Sequence, residues 1–306
     1  VNWDLIESKT NKNFDNTIVS ENIQEELYRD IEWFMANEDW YTQKGIPYKR
    51  GYILYGPPGT GKTSLIKAIA NTHNLPIFNL DMESISNNNE MTKLVSNISY
   101  QVQNNRYIMT CEDIDRFLNL KFNDCYYSRG SSSKVTIDCI LNVLDGILET
   151  YGRITFFTCN DIKPLAQISA MMRPGRIDKS LLINYCDTYQ IKRIFQNFYS
   201  DFDKELIDDE TVFKSEITPA QLIKMMQKYH NDYQKVLDLI VISNSSPSFS
   251  DDSGIQVSFQ DQDMIEIEGK NNKRKKGGNL TVYGTGFKGP FLSLIHISEP
   301  TRHASI

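Results

Sequence analysis

One stretch constrains this chain more than any other: residues 51–64, GYILYGPPGTGKTS. Tyr52-Ile53-Leu54-Tyr55 reads as a buried strand. Gly56-Pro57-Pro58-Gly59-Thr60-Gly61-Lys62-Thr63 then fits the phosphate-loop pattern G-x-x-x-x-G-K-[ST]. Ser64 to Ala70 continues with helical spacing, its apolar positions being Leu65, Ile66 and Ile69. Strand, glycine loop and helix in that order predict a loop that cradles a triphosphate, ATP or GTP. Backbone N–H groups hold the phosphates, and glycine lets the main chain curl closely around them. The start of the helix adds its positive dipole end. Lys62 is placed to reach the β and γ phosphates, and the Thr63 hydroxyl to ligate Mg2+. An ordinary Gly-Pro turn is the bland alternative, and it leaves the agreement of motif and flanks unexplained.

Three further stretches complete a candidate site. Tyr107-Ile108-Met109-Thr110-Cys111 reads as a strand running into Glu112, Asp113 and Asp115. Beside a phosphate loop, the first acid suits Mg2+, generally through water, and the second activates the attacking water; Glu112 and Asp113 take those roles. Asn160 ends the strand Ile154–Cys159. If that strand lies between the other two, its amide meets both the γ-phosphate and the water, and it orients water without taking its proton. Arg173-Pro174-Gly175-Arg176 carries two cations at a turn. Such cations can stabilise charge in a transition state, or they can form structural salt bridges; the segment alone leaves both open.

The remaining pattern is an α/β chain. Short apolar strands at 75–80, 107–111, 154–158 and 181–183 join the phosphate-loop strand and alternate with helical segments at 20–38, 64–70, 91–102 and 136–149. Residues 119–134 are polar and read as a loop. Alternation of this kind predicts a five-stranded parallel sheet covered on both faces, with ligands beyond the carboxyl ends of the strands. Beyond residue 186 three helical segments predict a small second domain over 187–242. Residues 1–19 are polar, and residues 243–291 have the composition of a disordered tail that includes the basic run Lys273-Arg274-Lys275-Lys276. Gly45 and Pro47 interrupt before the phosphate-loop strand; that segment either lies beside the base or is a plain linker.

Composition narrows the function class. With 40% hydrophobic and 24% charged residues, most of the 306-residue chain can fold around a core. A net charge of -6 argues against a protein built to coat nucleic acid. The five cysteines show no C-x-x-C spacing, which suits reduced thiols inside a cell better than zinc or disulfides. There is no apolar run of about eighteen residues that could span a membrane, and no signal peptide. The chain begins at Val1, and Leu292-Ser293-Leu294-Ile295-His296-Ile297-Ser298-Glu299-Pro300-Thr301-Arg302 resembles translated sequencing adapter. Residues 292–306 are therefore set aside as an expected artefact, and a natural N-terminal region is expected before Val1.

Together these motifs resemble the AAA+ ATPases. The run Asp39-Trp40-Tyr41-Thr42-Gln43-Lys44-Gly45-Ile46-Pro47-Tyr48-Lys49-Arg50-Gly51-Tyr52 is similar to one mitochondrial subfamily, the translocases of the Rieske iron–sulfur protein in respiratory complex III assembly. Ile140–Gly146, Met172–Asp178, Thr218–Leu222 and the order Glu112-Asp113 are similar to it as well. The resemblance implies a ring homo-oligomer with ATP and Mg2+ at each subunit interface, Arg173 and Arg176 reaching the neighbour's γ-phosphate in trans. It also implies a helical lid domain, a protein client of which an iron–sulfur protein is one candidate, and a mitochondrial inner-membrane setting reached through a missing N-terminal segment. Asp81–Glu90 lacks the aromatic-Gly pore loop of threading unfoldases, and Ile168-Ser169 stands where the family has Asp-Pro. Similar ATPases also occur in large DNA viruses. The reading is ATP hydrolysis coupled to moving or assembling a protein client. Its rivals are a nucleotide-gated scaffold with little hydrolysis and a nucleic-acid-stimulated ATPase.

Overall fold

A computed structural model describes residues 3–6, 10–98, 100–102, 106–124, 135–146, 151–208, 210–242 and 293–296. The basic run 273–276, the tail 243–291 and most of the serine-rich loop lie outside these residues. The central sheet follows from period-two burial. In β2 (Lys49–Tyr55), Ile53 enters one hydrophobic cluster while Tyr52 and Leu54 enter a second. β4 (Tyr107–Cys111) divides the same way, Tyr107, Met109 and Cys111 against Ile108. In β5 (Arg153–Cys159), Phe157 and Cys159 oppose Ile154 and Phe156. Successive side chains point to opposite faces, so the two clusters are the two faces of one doubly covered sheet.

With β3 (Ile77–Asn79) and β6 (Lys179–Leu182), these strands pair in parallel in the order β3-β4-β5-β2-β6. This is the five-stranded parallel sheet that the alternation predicts. Two short strands extend it beyond β3: β7 (Ser293–His296) runs parallel to β3, and β1 (Trp3–Ile6) runs antiparallel to β7.

The helices cover the faces by their apolar stripes. α1 (Glu21–Ala36), α2 (Glu38–Lys44) and α3 (Lys62–Thr72) supply Leu27, Ile31, Phe34, Tyr41, Leu65 and Ile69 to one face. α4 (Asn88–Ile98), α5 (Ile114–Asp124), α6 (Ile137–Asp145) and α7 (Lys163–Ala166) cover the other. α5 corrects the loop expected from residue 119, because Ile114, Phe117 and Leu118 bury a helical stripe that carries the chain on to Asp124. After Cys186, α8 (Thr188–Phe198), α9 (Pro219–Lys228) and α10 (Tyr233–Ile240) share a separate core that includes Phe195, Leu222, Met226 and Val236. Reciprocal capping boxes, Asp187 with Gln190 and Thr218 with Gln221, start α8 and α9. Among the described residues no helix is long and apolar enough to cross a membrane.

One half-buried ion pair ties α1 to the sheet. Asp30 accepts from Arg50 Nε at 3.0 Å and Nη2 at 2.6 Å, and from the Tyr52 hydroxyl at 2.6 Å. Burial alone would raise the Asp30 carboxyl, but the bonds from Arg50 and Tyr52 outweigh it and hold the group below its ordinary value. Its contribution to stability is therefore complete above the ordinary carboxylate range and is lost as pH falls through the folded value. Asp30→Asn leaves Arg50 without its counter-charge and is expected to cost about 3 kcal/mol in urea unfolding at pH 7. That gap should shrink below about pH 4; a gap independent of pH would refute the role given to the carboxylate.

Candidate functional site

The phosphate loop leaves β2 at Tyr55 and enters α3 at Lys62. Gly56 has φ +139°, and a Cβ there would fall 2.1 Å from the Ile183 carbonyl oxygen, so only glycine fits. Gly59 and Gly61 also have positive φ, at +80° and +98°. The Thr60 hydroxyl donates to the Pro57 carbonyl at 2.9 Å and braces the curl, while Pro58 and Gly59 stand exposed. Lys62 Nζ donates to the Gly56 carbonyl at 2.7 Å, the Pro57 carbonyl at 2.9 Å and Asn160 Oδ1 at 3.1 Å. All three ammonium donors are thus spent on the loop and on one amide. Burial lowers the Lys62 pKa, against the opposing fields of Asp113, Cys159 and Asp115.

Thr63 and Ser64 occupy the first turn of α3, both half-buried. Glu112, the first acid after β4, lies within electrostatic reach of Thr63 and Lys67. Burial raises the Glu112 carboxyl, Lys67 opposes that shift, and Asp113 adds to it. Thr63 and Glu112 are hard oxygen donors of the kind Mg2+ takes, with phosphates and water completing an octahedron. Among the described residues no group of three His, Cys, Asp or Glu side chains converges as a metal site. Two such oxygens leave the remaining positions of a metal to phosphates and water.

Asp113 has φ +49°, in the left-handed region that non-glycine residues seldom occupy. Strain of that kind is held only where neighbours enforce it. Here the Asp113 N–H donates to Thr158 Oγ1 at 3.1 Å, across from β4 to β5. β5 pairs with β4 on one side and β2 on the other, which is the condition the sequence set for Asn160. Asn160 accordingly lies beside Lys62 and next to the acid turn.

Two carboxylates that hold this arrangement were not assigned from sequence. Asp115 is buried, and its Oδ2 accepts from the backbone N–H of both Asn160 and Asp161 at 3.1 Å. Its only cue was its place as the third acid of Glu112-Asp113-Ile114-Asp115. Asp178 accepts from the Gly51 N–H at 2.9 Å and the Gly175 N–H at 3.0 Å, fastening the arginine turn to β2. The fit is close, since a Cβ on Gly51 would fall 1.9 Å from the Arg176 carbonyl oxygen.

The arginine turn therefore sits near the start of β2 and the phosphate loop after its end. Gly51 and Tyr55 are four residues apart, about 13 Å along a strand. Arg173 is exposed. Arg176 folds onto its own chain, donating from Nη1 to the Ala170 carbonyl at 2.9 Å, with Nε 3.6 Å from Asp145. Asp145 ends α6, whose last carbonyls also take Lys49 and the buried Arg153. The stretch around Gly45 and Pro47 precedes Lys49, about 20 Å of strand from the loop. It leads into the far end of β2. On the loop side, the Ala220 N–H at the start of α9 donates to the Gly59 carbonyl at 3.2 Å, joining the helical cluster to the loop.

Residues 52–185 match the family described as ATPase family associated with various cellular activities (AAA). Probable mitochondrial chaperone BCS1-B of Dictyostelium discoideum is 35% identical over 247 residues, 71% of this chain and 52% of that protein. Mitochondrial chaperone BCS1 of Homo sapiens is 33% identical over 228 residues, with the same two coverages of 71% and 52%. AAA-ATPase At3g50940 of Arabidopsis thaliana is 32% identical over 247 residues, 79% of this chain and 53% of that protein. The chain thus spans about half the length of these curated relatives. Family match and geometry agree on the same strands and loop, and residues 52–185 of this chain belong to the AAA ATPases.

Proposed function

We propose that this chain is the ATP-hydrolysing part of a ring homo-oligomer that moves or assembles a protein client. The observation that carries the reading is the division of the site between the two ends of β2. Lys62, Thr63, Glu112, Asp113 and Asn160 gather at the carboxyl ends of three adjacent strands. Arg173 and Arg176 lie near the start of β2, held there by Asp178. One chain has the phosphate site and its water-activating groups at one end and its arginines at the other. A neighbouring copy supplies the missing cation.

In this reading the loop amides and Lys62 hold the β and γ phosphates, Lys62 exchanging the Gly56 and Pro57 carbonyls for phosphate oxygens. Thr63 and Glu112 hold Mg2+, which when bound neutralises charge on those phosphates. Asp113 takes the proton from the attacking water, Asn160 orients that water, and the neighbour's Arg173 stabilises the transition state. Arg176 acts with it once it leaves Asp145. The helical cluster 187–242 serves as the lid, with the Ala220–Gly59 bond as its contact on the loop. Relatives named mitochondrial chaperones support a protein client and a mitochondrial setting. An inner-membrane anchor, and a client in complex III assembly such as an iron–sulfur protein, are the finer form of this proposal.

Two measurements test it. Asp113→Asn is expected to leave ATP binding near wild type and to lower kcat by about 100-fold or more, as removal of a general base does; unchanged turnover would sink the assignment. Lys62→Ala and Arg173→Ala are each expected to be inactive alone, Arg173→Ala losing about 1,000-fold as arginine fingers do. Mixed, the two variants should recover activity, because an intact Arg173 from one subunit then serves an intact Lys62 of the other. No recovery in mixed assemblies would place the arginines in cis or remove the ring.

A further inference from the structure

We propose that Asp115 is a positioning residue for hydrolysis, acting through Asn160 by anchoring its backbone while its side-chain amide changes partners. The inference rests on the ATPase reading above and adds a residue to it.

The geometry is specific. A single carboxylate oxygen, Asp115 Oδ2, accepts two consecutive backbone N–H groups, those of Asn160 and Asp161. Both follow directly on the last residue of β5, where the sheet no longer holds the chain. Without this acceptor, two N–H groups at the strand end would lack a partner and the turn carrying Asn160 would be free to shift. With it, the backbone of Asn160 is fixed to the first turn of α5. The side chain of the same residue is bound differently: its Oδ1 accepts from Lys62 Nζ. When Lys62 turns to the phosphates, that oxygen is released to the water, and only the backbone anchor keeps the amide in place.

Stability alone gives no reason for a carboxylate here. Asp115 is 5% exposed, and its Oδ1 is buried with no hydrogen-bond partner among the described residues. A buried carboxylate satisfied on one oxygen only is costly. Its position does serve the site. The loop of contacts is closed: carboxylate to the Asn160 backbone, Asn160 side chain to Lys62, Lys62 to the phosphate loop. Asp113 is stapled into the same unit through Thr158.

The test is a double-mutant cycle with kcat and KM for ATP, and with the Kd of a fluorescent ATP analogue. Asp115→Ala is expected to lower kcat by about 10- to 100-fold, the scale of a misplaced group. The analogue's Kd should change by less than about threefold, since the loss is in the transition state and not in ground-state binding. In an Asn160→Ala background, Asp115→Ala should have almost no further effect on kcat, because residues acting as one unit are not additive. Asp115→Asn, which keeps an oxygen acceptor but loses the charge, should recover part of the loss. Equal losses in both backgrounds, or a Kd that worsens as much as kcat, overturns the proposal. If Asp115→Ala does not fold by circular dichroism, Asp115→Asn goes through the same cycle. Its smaller loss must then also vanish beside Asn160→Ala, and a loss that persists there, or none at all, overturns the proposal. Wild-type protein without ATP turnover would instead refute the ATPase reading, so the two failures are distinguishable.

Discussion

The site depends on the register of β5 between its two neighbours. Phe157 pairs with Cys111 on β4 and with Ile53 on β2, and Cys159 pairs with Tyr55. This register brings the acid turn after β4, the asparagine after β5 and the glycine loop after β2 to one level of the sheet. Parallel pairing makes the result possible, because all three strands end on the same side. A slip of one residue would turn every side chain of β5 to the opposite face. The split of Phe157 and Cys159 from Ile154 and Phe156 between two full hydrophobic clusters opposes such a slip.

On this frame, three aspartates hold what the sheet alone does not. Asp30 ties α1 to the start of β2, Asp178 ties the arginine turn to Gly51, and Asp115 ties the end of β5 to α5. Each accepts at least two hydrogen bonds, and charged acceptors make such bonds stronger than neutral ones. Glu112 and Asp113 follow directly on β4, whereas Asp30, Asp115 and Asp178 each accept two or more hydrogen bonds from distant parts of their own chain.

The same contacts distinguish the two arginines. Asp178 sets the turn that carries both, but the side chain of Arg176 is engaged by Ala170 and Asp145 while Arg173 is exposed. Asp145 also closes α6, so the turn, α6 and the start of β2 form one joint, built by Lys49, Arg153 and Arg176 around the carbonyl end of a helix.

By itself the sequence determined the phosphate loop, the acid pair, the strand-ending asparagine and the five parallel strands. Those features are local: a motif of contiguous residues, or apolar runs whose period sets which face is buried. The helical run of α5 past residue 118 was masked by a polar composition, because only the few residues that bury its stripe mark it as a helix. The partners of Asp115 and Asp178 were decided by the tertiary structure alone. Asp115 meets Asn160 across 45 residues of chain, and Asp178 meets Gly51 across 127. An aspartate that accepts a backbone N–H reads the same in sequence as one facing water, since its partner is a peptide group every residue carries. Which end of β2 receives the arginines was likewise settled only by strand order. A parallel sheet can place consecutive segments at opposite ends of one strand, and no local spacing records that distance.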